Sequence, residues 1–223
     1  MLKSKSIELS DYNELDKGLA AAYYSNGVCL GKGLPVYIPH AHRMWEYASA
    51  LQTLFEHPMP RSVLDIGCGH SILGPAAYLA KKVRLTELEP LAQYADRGQV
   101  LSPLCDGKYE FIRGALPDGP DKQFDAVFCI SVMEHIQEKV QRMSWKRVAS
   151  FVGDGGVLAV TVDCGVDGVG DAREREKMFG MDDVKQAVAW LEESGITVND
   201  CDYTAYPPQV NDYTFFRILG RRK

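Results

Sequence analysis

Residues 63–69 read Val63-Leu64-Asp65-Ile66-Gly67-Cys68-Gly69, an apolar run that ends in a carboxylate and breaks into a Gly-x-Gly turn. A short apolar run of this kind is a buried strand. Glycines just beyond it permit backbone conformations and close ligand approach that other residues resist. His70 and Ser71 complete the loop, and residues 72–80 predict a helix entered through it. The free N–H groups at the start of such a helix face an anion well. In open α/β sheets ligands lie outside the carboxyl ends of the strands, where the strand order reverses. The loop 65–71 is therefore the first place to expect a ligand.

The chain repeats this alternation. Strands are predicted at Ser62–Ile66, 83–87, Tyr109–Arg113, Phe124–Ile130 and 157–162, with helices at 91–99 and 139–152 between them. In the latter, Val140, Met143, Val148 and Phe151 mark the inward face. Gly153-Asp154-Gly155-Gly156 is a turn. Val184, Ala187, Val188 and Leu191 mark a late helix closed by Gly195, and strands follow at 196–203 and 213–219. Residues 205–212 leave no room for a crossover helix, so the last two strands form a hairpin. The fold class is α/β: a doubly wound seven-stranded sheet, mostly parallel, with the last strand antiparallel.

Ahead of the sheet, Met44, Tyr47, Ala48, Leu51, Leu54 and Phe55 recur at helical spacing, and Pro58 and Pro60 end that helix. Residues 1–40 read as a short helix around 11–24 and a loop punctuated by glycine. The expected division is an N-terminal helical and loop extension, 1–56, covering the active site, and a domain at 57–223 with an insertion at 163–181. Long Gly-rich and charged insertions are functional or disordered.

Composition narrows the function. Apolar residues make up 46% and charged residues 25% of 223 residues, ordinary for a globular protein. No apolar run approaches the roughly 20 residues of a membrane helix, and residues 1–16 lack the apolar centre of a signal peptide. A cytoplasmic protein without a membrane span is expected. The net charge of −5 disfavours a nucleic-acid partner, which needs clustered Lys and Arg. The six cysteines have no knuckle spacing, and His40 and His42 have no cysteine nearby, so no metal is expected. Homo-oligomerisation is left open.

The type of ligand follows from what the loop lacks. A dinucleotide fingerprint needs a third glycine where this chain has Ile72, and no Gly-Lys-Ser/Thr of a P-loop is present. Glu87 lies twenty residues beyond Gly67, where a carboxylate can accept from both hydroxyls of a ribose. A surface glutamate near a helix start would also explain a carboxylate in this stretch, and Glu89 fits that plainer reading better than Glu87.

Taken together, these segments resemble class I S-adenosylmethionine-dependent methyltransferases, which have a Rossmann-like sheet. Val63 through Gly69 is similar to the family's first motif, and Glu87 stands at its ribose-binding acid. Ile112-Arg113-Gly114-Ala115-Leu116-Pro117 resembles the segment along the adenine. Phe124-Asp125-Ala126-Val127 through Val132-Met133-Glu134-His135-Ile136 resembles the fourth strand and its turn, and Gly153 through Leu158 the approach to the fifth. The resemblance covers roughly residues 60–220. It implies S-adenosylmethionine as cofactor, held by Asp65, Gly67, Cys68, Gly69, Glu87, Leu88, Ala115, Leu116 and Ser131. Gly114 departs from the pattern, because many relatives carry an aspartate there to read the adenine amino group.

The acceptor is less defined. His135, with Glu134, is the catalytic candidate: a neutral imidazole near pH 7 can take a hydroxyl proton. A merely structural turn would equally explain the pair. Tyr23, Tyr24, His40, His42 and Asp163 are candidates for binding substrate. The expected reaction is in-line transfer to a small molecule, at the hydroxyl oxygen of a sugar or other metabolite. The alternatives are a protein or RNA methyltransferase and a non-catalytic domain that binds S-adenosylmethionine.

Overall fold

A computed structural model describes residues 41–69, 71–165, 179–204 and 213–223. The expected helix around 11–24, Tyr23, Tyr24, His40 and most of the 163–181 insertion lie outside them, as does the side chain of His42.

The elements run α1 (Ala41–Glu56), β1 (Ser62–Ile66), α2 (Leu73–Lys81), β2 (Arg84–Glu89), a 3-10 turn (Ala92–Tyr94) and α3 (Arg97–Leu104). Then follow β3 (Tyr109–Arg113), β4 (Phe124–Ile130), a second 3-10 turn (Met133–His135) and α4 (Glu138–Phe151). β5 (Val152–Gly165), α5 (Met181–Glu193), β6 (Ile196–Thr204) and β7 (Tyr213–Arg222) complete the chain. The strands form one seven-stranded sheet in the order β3-β2-β1-β4-β5-β7-β6. The first five are parallel, and β7 is antiparallel to both β5 and β6. The order reverses between β1 and β4, so their carboxyl ends open the crevice that binds ligands in such sheets.

Period-two alternation divides the strands between two apolar layers. Leu64, Val127, Cys129, Leu158 and Val160 face α4 and α5, packing with Trp145, Val148, Phe151, Val184 and Leu191. Val63, Leu85, Ala126, Phe128 and Ala159 face the other way, onto Tyr47, Leu51 and Leu54 of α1 and Leu73 and Ala77 of α2. α1 thus helps to close one face of the sheet. Asp125 pins the far end of the sheet: its Oδ2 accepts from the N–H groups of Arg61 and Ser62 at 2.7 and 2.9 Å.

Several expectations need correction. The helix expected at 91–99 is a 3-10 turn followed by α3, whose boundaries are blurred in sequence by Gly98 and Pro103. Met143 does not face inward; it is 54% exposed, because Gln141, Ser144, Trp145 and Val148 occupy the buried face of α4. Phe55 is likewise exposed at the end of α1. Gly153 to Gly156 is a bulge within the long β5, where pairing with β4 shifts between Phe124 and Ala126. The insertion narrows, since β5 continues to Gly165 and α5 begins at Met181.

Candidate active site

The loop after β1 is built by its glycines. Gly67 adopts φ 67° and Gly69 φ 45°, both left-handed. A Cβ on Gly67 would come within 2.4 Å of Val132 Cγ2, so a side chain there must displace Val132 and also hold a left-handed backbone. Its N–H donates to Leu88 O at 2.8 Å, tying the loop to the end of β2. Ser71 closes the turn: its N–H donates to Cys68 O at 2.6 Å, and its Oγ accepts from Leu73 N at the start of α2.

Asp65, the residue before last of β1, lies beneath this loop, 2% exposed. Its Oδ2 is buried and has no hydrogen-bond partner among the described residues. Burial, then the neighbouring Glu87 charge, push its carboxyl up to about 8, while Arg97 opposes the shift. A buried carboxylate in want of a donor suits a cationic ligand. Cys68 is buried as well, and burial with the Glu87 charge drives its thiol up, so it lines the loop as an inert group.

Glu87 and Glu89 divide the end of β2 between them. Alternation puts both on the same face and both are buried, Glu87 at 0% and Glu89 at 4% exposure, but their partners differ. Arg97 donates to Oε1 from Nη2 at 2.6 Å and to Oε2 from Nε at 2.9 Å, and Tyr109 donates its hydroxyl to Oε2 at 2.6 Å. Glu87, the residue expected at a ribose, is thus held by Arg97 and Tyr109. Glu89 stands one pleat further out: its Oε2 accepts from Gly69 N–H at 2.9 Å and its Oε1 from Leu91 N–H at 3.0 Å. Sequence reasoning gave Glu89 only a surface role. The available signal was Pro90, which ends the strand and leaves Glu89 at its rim.

Of the adenine-side residues, Leu88 and Leu116 are buried in the core and Ala115 is exposed. Gly114 donates its N–H to Glu89 O at 3.2 Å, and a Cβ there would sit 3.2 Å from Leu88 Cδ1. A larger residue at this position would press on Leu88, which gives a packing reason for the glycine.

The ends of β4 and β5 hold a second set of groups. Ser131 follows β4 with φ 49°, a left-handed conformation that non-glycine residues adopt at a cost. Its Oγ donates to Glu46 Oε1 at 2.8 Å and lies 3.2 Å from Asp163 Oδ1. Thr161 also donates to Glu46 Oε1. Glu46, 0% exposed on α1, therefore anchors that helix to both strands. Glu134 is buried, and its Oε1 accepts from Asp163 N–H at 3.4 Å. His135 is exposed at the end of the 3-10 turn. The structure thus brings Ser131, Glu134 and Asp163 together. Sequence reasoning missed Thr161 and the anchoring by Glu46, which are separated by more than 100 residues.

Among the described residues, no group of three His, Cys, Asp or Glu side chains could hold a metal ion. No helix there is long and apolar enough to cross a membrane.

Known proteins supply the wider context. The methyltransferase domain family matches residues 40–192. No curated protein matches the sequence. Among solved structures, 1,6-didemethyltoxoflavin-N1-methyltransferase of Burkholderia thailandensis is similar, with a TM-score of 0.64 at 17% identity over 100% of this chain and 95% of that one. Geranyl diphosphate C-methyltransferase of Streptomyces coelicolor A3(2) has a TM-score of 0.64 at 13% identity over 86% of this chain and 85% of that one. Magnesium protoporphyrin IX methyltransferase of Synechocystis PCC 6803 has a TM-score of 0.63 at 14% identity over 98% and 100%. At such identities the likeness is one of fold, and it is the class I, Rossmann-like one. With its match over residues 40–192, the chain belongs to the methyltransferase domain family.

Proposed function

We propose that this protein transfers the methyl group of S-adenosylmethionine to a hydroxyl oxygen of a small, hydroxylated metabolite. The methyl donor is S-adenosylmethionine, which supplies a methyl on a sulfonium and so carries its own activated leaving group. The observation that supports this most is the loop after β1: two left-handed glycines, one with no room for a Cβ, above the buried and unpartnered oxygen of Asp65. The residues present fit the cofactor. Gly67 and Gly69 admit its methionine portion, and Asp65 meets the ammonium. Glu89, whose partners are the backbone N–H groups of Gly69 and Leu91 and not a guanidinium, accepts from the ribose hydroxyls with its remaining lone pairs in place of Glu87. Cys68, Leu88, Ala115 and Leu116 line the remainder.

The small-molecule class agrees with the solved methyltransferases of the same fold, named for toxoflavin, geranyl diphosphate and porphyrin substrates. Ser131, expected at the cofactor, bonds Glu46 and lies beside Asp163, and on the acceptor side it positions the substrate with Asp163; Glu134 holds the turn that carries His135. His135 takes the acceptor's proton as the oxygen attacks; alignment of the two reactants supplies most of the rate. Screening a panel of hydroxylated metabolites with methyl-labelled cofactor tests the reading. Label on an oxygen of one panel member is the expected result. Cofactor binding with no transfer to any acceptor would instead favour a non-catalytic binding domain.

A further inference from the structure

The two glutamates of β2 differ in their partners: Arg97 and Tyr109 hold Glu87, and backbone N–H groups hold Glu89. Arg97 begins α3 and is 8% exposed. Its planar fork meets both oxygens of Glu87, the geometry at which a guanidinium binds a carboxylate most strongly. Although burial works against its charge, the hydrogen bonds and charge of Glu87 hold Arg97 firmly protonated. Nη2 has a further contact, donating to Ser71 O at 2.8 Å. Ser71 is itself fixed between Cys68 O and Leu73 N. One side chain thus links α3, β2 and, through Glu87 and Tyr109, β3 to the loop that carries Gly67 and Gly69.

We propose that Arg97 is a positioning residue of the cofactor site: it withdraws Glu87 into the interior and braces the Ser71 carbonyl, so that the glycine loop and Glu89 face the ligand. This rests on the cofactor reading above. A lysine keeps the charge but cannot reproduce the fork and the carbonyl contact together. Removing the charge alone would leave Glu87 buried and uncompensated, whereas replacing both partners with apolar side chains can preserve stability. The paired replacement therefore separates bracing from folding.

The test is calorimetric titration with S-adenosylhomocysteine and its 2′-deoxyribose analogue, with steady-state kinetics where an acceptor is in hand. R97K is expected to weaken S-adenosylhomocysteine binding about tenfold, the scale of one charge-assisted hydrogen bond. It should raise KM for the cofactor and leave kcat within about twofold. The R97M/E87M double variant is expected to melt near the wild type and still bind about tenfold more weakly, because Ser71 O has lost its donor. E87Q should keep the preference for ribose over deoxyribose. Wild-type affinity in either Arg97 variant would overturn the proposal, as would loss of the ribose preference in E87Q. E89Q tests the other reading separately: an unchanged ribose preference there would remove the ribose role from Glu89 and leave the Arg97 brace standing.

Discussion

The carboxyl ends of β1 and β2 and those of β4 and β5 both gather buried carboxylates, but they hold them differently. At β1 and β2 the partners are a guanidinium, a phenol and backbone N–H groups, supplied by neighbouring elements of the sheet domain. At β4 and β5 the donors to Glu46 and Glu134 include two hydroxyls and one backbone N–H, and Glu46 comes from α1, ahead of the sheet. The first end is organised by backbone shape and a buried ion pair, which suits a fixed ligand used by a whole family. The second depends on side chains from distant segments, which suits a partner that varies between relatives.

If that division holds, variants at the two ends should separate cofactor binding from turnover. The largest effect is expected at His135. H135A should lower the methyl-transfer rate by about 10²–10⁴-fold, the range of general acid–base catalysis, with S-adenosylhomocysteine affinity unchanged. Full turnover in H135A would remove the base. Next is pH. Asp65, pushed up to about 8 in the ligand-free site, holds a proton below that value. The cofactor's ammonium favours the carboxylate, so binding must expel the proton and affinity falls as the solution is acidified. Between pH 7 and pH 6 the loss is about tenfold in titration calorimetry. D65N should bind weakly with no such slope, and a pH-independent wild type would contradict the pairing.

The same group acts on stability with a defined sign. Its folded pKa lies above the ordinary carboxyl value of 3.8, so the folded state holds more protons than the unfolded one between about 4 and 8. The ligand-free protein should therefore lose stability from this group as pH rises through that window. The smallest effect belongs to Ser131. S131A removes a hydroxyl shared by Glu46 and Asp163, and should cost about 1–3 kcal/mol in urea denaturation, with cofactor affinity preserved. A matching fall in cofactor affinity would blur the two ends.

The local pattern carried most of the fold. Tyr109–Arg113 and Phe124–Ile130 are legible because short apolar runs between turn residues admit few other readings. The insertion of β7 between β5 and β6 was not legible, since partner choice is decided by contacts remote in sequence. Met143 misled because α4 buries polar Gln141 and Ser144 beside Trp145, which shifts its inward face. At the candidate site, the turn at Gly67 was visible as a motif. The fate of Glu87 was not, because it is set by Arg97 ten residues on and by Tyr109 on the next strand. A glutamate's position along a strand can be read from sequence, but the donor that captures its charge cannot.

The most direct test of the central claim is titration of the purified, cofactor-free protein with S-adenosylhomocysteine, beside G67A. A Cβ at residue 67 meets Val132 and must also adopt a left-handed backbone. Saturable one-site binding to the wild type, lost in G67A while the fold is retained, is the expected result. No binding to the wild type, or equal binding to G67A, would contradict it.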